Sequence, residues 1–569
     1  MKVTFYPDNT SFEVAEGTKL IDVAKENNII LADELCGNGA CGKCKVIIKE
    51  GNNTPLTLKE RKILSEEEIE AGVRLACSLK IMEDVAVFRT NAKLCSRTNA
   101  MLSNKNNEKI NNIEENKISN IETNEDINKE SIPNSTENIS NINININNNN
   151  NYGVTIDIGT TNIVCGIFEL QQKANLIQVL EATNPQKLMG MEVVGRIAFA
   201  NNEKKLAQMQ KMVIGCINNL INRLSEENNI SFNNIKKVVV CGNTTMIHMF
   251  LGKDVTPLGV YPFSTGYMGG EILKAQDYLK DLDGDAKIYV PPFIGGHVGS
   301  DALCCLYGAG MYKAAGKKII VDMGTNAEII LYNDGEISAC AAAAGPAFEG
   351  MGIRHGSKYI DGSVYGARID ENGKMEYDIK GMGVVSEENK DMSNAKSICA
   401  SGMIDILSIL RRSNALDFFG TFKGTDNVPK GVDTEHAVFY LSKENTRACI
   451  NQADIRNIQL AKSAVLSGII TLLEEQNVEL ESVDEIILTG AFGNGINIQN
   501  AIDIRLLPKV DMVKYVFANN MAFEGAGKIL DGDSEKVLEK MIEMAKKIKH
   551  IELGQIDKFK DIFIDNMNV

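Results

Sequence analysis

YGVTIDIGTTN (residues 152–162) and IIVDMGTNAEI (residues 319–329) are two versions of one phrase. In the first, the alternation of Val154, Ile156 and Ile158 predicts a short buried strand, and Gly159-Thr160-Thr161 a tight turn after it. In the second, an apolar strand carries Asp322 and runs into Gly324-Thr325-Asn326. Small residues and backbone N–H groups in each turn leave room for a phosphate. Asp157 and Asp322 stand where a carboxylate would hold Mg²⁺, directly or through water, as the metal bridges phosphates; the plain alternative is an Asp that only stabilises its turn. One such phrase is weak. Two of them, one opening each half of a region that alternates strands with helices, predict an α/β body.

Other phrases in that region add candidates. Leu488-Thr489-Gly490-Ala491-Phe492-Gly493 follows an apolar strand, and side-chain-free positions there suit an adenine or ribose face. In VVVCGNTTMIHMFLG (residues 238–252), Asn243, Thr244 and Thr245 either meet a nucleotide or cap a helix. Glu328 follows the second turn at a spacing that would let it orient an attacking water. Glu349 lies in AAAAGPAFEGMGIRHG, a stretch poor in bulky side chains that permits close ligand approach.

Ahead of the body, residues 1–94 read as a separate module. Two short strands around Pro7-Asp8-Asn9 precede a helix over Thr18–Asn27. Then ELCGNGACGKCKV places Cys36, Cys41 and Cys44 at C-x4-C-x2-C spacing, and Cys77 follows in RLACSLKI. This is the plant-type 2Fe–2S pattern. Four thiolates must surround two irons, and the interleaved Gly37, Gly39 and Gly42 let the backbone bend around them. A zinc site is the alternative, but zinc pairs usually come as two C-x2-C knuckles. The remaining body cysteines, Cys305 among them, lack ligand spacing and read as small core residues.

Between module and body, residues 95–151 collapse into an Asn-rich tract ending NINININNNNN, which predicts a disordered linker. A flexible coil of about 50 residues spans roughly 40 Å, enough for the front module to swing between donor and acceptor. The 569 residues are too many for one core. A net charge of −15 argues against a nucleic-acid partner, which needs a basic surface. No apolar run approaches the roughly 18 residues that span a bilayer, so no membrane association is expected. Without a signal-peptide core, the expected location is the cytoplasm.

The order Asp157–Thr161, Asp322–Asn326, Gly490–Gly493 resembles the actin-like (ASKHA, ribonuclease H-like) ATPase superfamily of sugar kinases, heat-shock ATPases and actin. That resemblance implies two subdomains, 152–318 and 319–569, closing on ATP and Mg²⁺, with two phosphate loops and an adenosine loop at those three phrases. The front module would be an α+β β-grasp ferredoxin. With that ferredoxin in front, and with VPPFIGGHVGSD (290–301) and ICASGMI (398–404) in the body, the chain resembles the reductive activators of corrinoid-dependent methyltransferases. The resemblance implies an ATP-dependent enzyme that takes one electron from a low-potential donor and returns Co(II) of a corrinoid protein to Co(I). It leaves room for a homodimer. Plant-type clusters sit near about −400 mV. A one-electron deficit of about 100 mV is about 2.3 kcal/mol, within reach of nucleotide-driven closure. His297 and His355 are then either structural or near the corrinoid. The alternatives are a ferredoxin-tethered scaffold that binds nucleotide without turnover, and a redox-linked kinase of the same superfamily.

Overall fold

The structure is a computed structural model. It describes residues 1–6, 10–27, 29, 44–51, 54–57, 60–61, 64, 69, 72–89, 151–264, 266–313, 315–424, 429–442, 448–490, 492 and 495–569. Cys36, Cys41, Gly493 and the whole linker up to residue 150 lie outside the described residues.

The front module is built from β1 (Lys2–Tyr6), β2 (Thr10–Glu13), α1 (Leu20–Glu26), β3 (Lys45–Glu50), β4 (Val73–Leu75) and β5 (Val85–Arg89). Its five strands lie in the order β2-β1-β5-β3-β4, with β1 and β5 parallel at the centre. Leu20, Ile21, Val23 and Ala24 of α1 are buried with Val3, Phe5, Val46 and Val87 of the strands. A short helix grasped by a mixed sheet is the ferredoxin fold.

The body holds two six-stranded sheets of matching design. The first contains β6 (Tyr152–Ile158), β7 (Asn162–Glu169), β8 (Asn175–Thr183), β9 (Ile235–Gly242), β10 (Glu271–Lys274) and β11 (Lys287–Val290), in the order β10-β11-β9-β6-β7-β8. The second contains β12 (Lys317–Met323), β13 (Ala327–Asn333) and β14 (Glu336–Ala342), joined much later in the chain by three further strands. Between them the chain builds a four-stranded sheet of β15 (Ser363–Ile369), β16 (Met375–Ile379), β17 (Gly383–Ser386) and β18 (Ser397–Ile398), and a small one of β19 (Val432–Asp433), β20 (Val438–Tyr440) and β21 (Cys449–Asn451). It then returns with β22 (Glu485–Gly490), β23 (Tyr515–Phe517) and β24 (Ile548–His550) to complete the order β23-β22-β12-β13-β14-β24.

In each large sheet an antiparallel meander, β6-β7-β8 or β12-β13-β14, is extended on its first strand by parallel strands, β9 or β22. This is the actin-like ASKHA layout, made twice. The repeated Asp-x-Gly-Thr phrase therefore opens the corresponding hairpin of each sheet.

Helices α2 (Val193–Phe199), α3 (Glu203–Glu227), α4 (Thr244–Leu251) and α5 (Ser300–Gly308) belong to the first half. Buried Leu206, Met209, Val213, Ile217, Leu220 and Leu224 recur at helical spacing along α3 and face the first sheet. In the second half, α6 (Ala400–Arg412) lies on β15, and α7 (Gln452–Glu475) is buried over most of its circumference. α7 starts from a capping box of Asn451 and Asp454. Next come α8 (Ile498–Asp503), α9 (Met521–Gly527), α10 (Ser534–Ala545) and α11 (Phe559–Asp565). The apolar periodicity of Ser534–Ile551 reads as one helix, but the helix stops at Ala545. Ile548–His550 instead pairs in parallel with Ile337–Ala339 and covers the β14 edge.

Candidate nucleotide cleft and cluster site

Both Gly-Thr phrases are hairpin turns. Ile158 pairs with Ile163 across the first and Met323 with Ala327 across the second. The turns come from different sheets and meet: Thr161 Oγ1 and Thr325 Oγ1 are 3.3 Å apart. Thr325 donates to Glu349 Oε1 at 2.6 Å, so Glu349 faces the second turn. Asn243 does two jobs at once. Its Oδ1 accepts from Met246 N at 2.9 Å as the cap of α4, and its Nδ2 donates to Thr160 Oγ1 at 3.0 Å. Thr244 takes no part in this group, because its hydroxyl donates to Gly295 O at 2.8 Å. Lys358 Nζ donates to Asn162 Oδ1 at 2.6 Å and adds a second link between the halves. The peptides of Gly159 and Gly324 are tied within the same region: Gly159 O accepts from Asn184 Nδ2 at 2.8 Å, and Gly324 N donates to Asn326 O at 2.9 Å.

Asp157 is the penultimate residue of β6 and Asp322 the penultimate residue of β12, each one strand residue before its turn. Each carboxylate accepts one neutral donor: Asn520 Nδ2 reaches Asp157 Oδ2 at 3.1 Å, and Cys305 Sγ reaches Asp322 Oδ2 at 3.3 Å. Glu328 stands directly across the β12–β13 pair from Asp322, and its side chain is buried. Asp301, in the first turn of α5, completes a set of four carboxylates.

Among the described residues no Lys or Arg forms an ion pair with any of the four. Burial, aided by the charge of Asp322 and opposed by Asn520, pushes Asp157 up to about 7. Burial and then the charge of Asp157 push Asp301 up to about 8. Burial raises Asp322 against the pull of the Cys305 hydrogen bond. It raises Glu328 further, with Asp301 and Asp322 adding to it. Carboxylates gathered this way without a counter-charge favour a cation between them or a proton upon them.

Gly490 stands at the end of β22 beside Met323, with φ +69°. A Cβ there would run into Asp322 Oδ1 and the backbone of Met323. Only glycine fits, because the third Gly-rich phrase presses against the second turn.

Asp301, Asn520 and Arg196 are not singled out by the sequence, and Cys305 reads there only as a core residue. Asp301 had one available signal, an acidic residue in the first turn of a helix that follows a Gly-rich run. Cys305 reads as a core thiol and is fully buried, yet it also serves Asp322. Arg196 of α2, fully buried, donates through Nη2 to Thr160 O and through Nε to Gly190 O at 2.9 Å, pinning the first turn from below. His297 packs its ring on Phe263, with centroids 4.9 Å apart.

In the front module, Cys44 and Cys77 are buried and their sulfurs lie 3.1 Å apart. That is too long for an S–S bond, and two thiols converging on one point suit shared ligation of a metal centre. Cys77 is delivered by β4, which is held by the buried ion pair of Arg74 and Glu60: Nε to Oε1 at 2.8 Å and Nη2 to Oε2 at 3.1 Å. Burial alone would raise Glu60. Hydrogen bonds from Arg74 and from the N–H groups of Thr57 and Leu75 prevail and hold it below the usual range. Among the described residues no helix is long and apolar enough to cross a membrane.

Three known domain families match the chain: a 2Fe-2S iron-sulfur cluster binding domain over residues 3–82, the RACo middle region over 152–314, and the C-terminal ASKHA domain of RACo over 317–569. The corrinoid activation enzyme RamQ of Eubacterium limosum is 28% identical over 429 residues, covering 73% of this chain and 70% of the relative. The Co(II) methylated amine-specific corrinoid protein reductase of Methanosarcina barkeri is 22% identical over 444 residues, covering 73% and 76%. A solved structure titled reductive activator for corrinoid, iron-sulfur protein matches with a TM-score of 0.63 at 25% identity, covering 100% of this chain and 98% of that one.

Proposed function

We propose, from the premise that the chain belongs to the RACo family, in which a 2Fe–2S domain precedes a middle region and a C-terminal ASKHA domain, that it is an ATP-dependent reductive activator of a corrinoid protein. Its substrate is the inactive Co(II) form of a corrinoid protein of a methyltransferase system, which it returns to Co(I). The observation that carries this reading is the meeting of Thr161 and Thr325 near four carboxylates that have no Lys or Arg ion pair among the described residues, in the same chain as a 2Fe–2S domain.

In this reading Gly159, Thr160 and Thr161 bind one end of the ATP triphosphate, and Gly324, Thr325 and Asn326 the other. Asp157 and Asp322 hold waters of a Mg²⁺ that arrives with the nucleotide. Such an ion is held chiefly by phosphate and water. Glu328 and Asp301, whose carboxyls burial raises, orient the attacking water in this reading, and whichever of them is ionised takes its proton. Glu349 and Asn243 keep the threonines of the two turns aimed at the ligand. Gly490 and Gly493 border the adenosine. Cys36, Cys41, Cys44 and Cys77 hold the 2Fe–2S cluster, which when bound supplies one-electron transfer. A low-potential reductant outside the chain is the source of the electron.

The test is an anaerobic assay of a Co(II) corrinoid protein with a low-potential donor and the full chain. The expected result is Co(I) formation that rises with ATP, together with ATP turnover stimulated by the Co(II) protein. Equal Co(I) yield with and without ATP would reject the coupling. ATP binding without any turnover would favour a docking scaffold.

A further inference from the structure

The two aspartates of the cleft are not held by their own halves of the body. Asp157 lies on β6 of the first half, and its donor, Asn520, comes from the second half, at the cap of α9. Asp322 lies on β12 of the second half, and its donor, Cys305, comes from α5 of the first.

The exchange follows from how α5 and α9 cross. α9 leaves its own sheet after β23 and packs on β6 and β9 of the other, where Phe523 lies against Phe168 with ring centroids 6.0 Å apart. The crossing with α5 is made at Gly308 and Gly525. A Cβ on Gly308 would sit 3.0 Å from the Gly525 Cα, and one on Gly525 would strike the Cys304 carbonyl. Backbones that close together carry their side chains past each other into opposite halves. Cys305, one residue after that carbonyl, thereby reaches Asp322.

From this geometry we infer that Cys305 and Asn520 are a reciprocal pair of positioning residues, each orienting the aspartate of the opposite half, so that both aspartates are set only when the halves meet as they do here. The inference rests on the reading of the cleft as an ATP site. A carboxylate oxygen engaged by a donor from the facing half leaves its partner oxygen directed at the ligand. Moving the halves apart withdraws both donors in one motion.

The test uses the full holoprotein, with kcat and KM for ATP measured in the presence of the Co(II) corrinoid protein. Cys305→Ala is expected to lower kcat about tenfold, with KM for ATP within about twofold of wild type. Cys305→Ser keeps a donor at that place and is expected to recover most of the loss. Asn520→Ser keeps the cap on α9, where Asn520 Oδ1 now accepts from Phe523 N at 3.0 Å, but is too short to reach Asp157. It is expected to lower kcat likewise. The double variant Cys305→Ala/Asn520→Ser is expected to lose less than the product of the single losses, because one closure serves both contacts. Cys305→Val, which fills the space, replaces Cys305→Ala if that variant does not fold. Wild-type kcat without the thiol, equal loss with Ala and Ser, loss carried by KM alone, or losses that multiply would each overturn the inference. If wild type itself neither binds nor hydrolyses ATP, the reading of the cleft fails first. If wild type is active and Cys305→Ala matches it, only the exchange of donors fails.

Discussion

Asp157 and Asp322 stand at matching places in two sheets, and a neutral donor rather than a cation holds each of them. If they carry the hydrated Mg²⁺, Asp157→Asn and Asp322→Asn should each reduce ATP turnover about a hundredfold, an isosteric change that removes only charge. The visible absorbance of the cluster should be unchanged, since its ligands lie in the front module. The raised carboxyls also set a pH dependence. Burial pushes Asp157 up to about 7 and Asp301 up to about 8 in the folded state, well above the unfolded range, and raises Asp322 and Glu328 the same way. The folded state therefore binds more protons than the unfolded chain from about pH 4 to about pH 8, and stability falls as pH rises through that window. Thermal melts without nucleotide or divalent cation should show Tm declining from about pH 6 to about pH 8. Mg²⁺ with ADP should flatten that slope by supplying the missing counter-charge. The two aspartates were legible because each sits in a repeated phrase. Asp301 was not, because an acidic residue opening a helix looks like any other first-turn acid until the second sheet is seen across from it.

β4 shows how one short strand depends on a distant ion pair. It contributes only Val73, Arg74 and Leu75, yet it delivers Cys77, and it is fastened by the bidentate contact of Arg74 with Glu60. Arg74→Met leaves Glu60 buried and unpaired, which should cost about 3–5 kcal/mol in denaturant unfolding of the front module. The same variant should lose its visible iron–sulfur absorbance at milder denaturant than wild type, while ATP turnover by the body persists. The first two strands and the helix of this module were legible, because alternation and helical spacing are local signals, whereas β3, β4 and β5 were not read. The end of α10 was not legible either. Its apolar period runs on past Ala545, but Ile548 is taken by the open edge of β14, and a sheet edge is invisible to a periodicity.

Over the whole chain, residues 95–151 stand between the 2Fe–2S domain and the ASKHA body, and their composition reads as a linker that offers little to build a core from. If its length lets the front module visit a donor and then the corrinoid protein, deleting most of residues 103–151 should slow Co(I) formation several-fold. ATP turnover by the body should stay near wild type, because both halves of the cleft lie beyond the linker; an unchanged Co(I) rate would dismiss the swinging role. The division into an iron–sulfur front and a duplicated α/β body could be read from the residues alone, because cysteine spacing and a strand-Asp-Gly-Thr phrase are written in consecutive positions. Which side chains answer to one another across the cleft was decided only by tertiary structure. Arg196 beneath Thr160, Asp301 beside Asp157, and the crossed donors Cys305 and Asn520 are far from their partners in the chain. They are brought together because two sheets of the same design face each other and two helices cross between them at glycines, a packing relation that no local pattern of residues encodes.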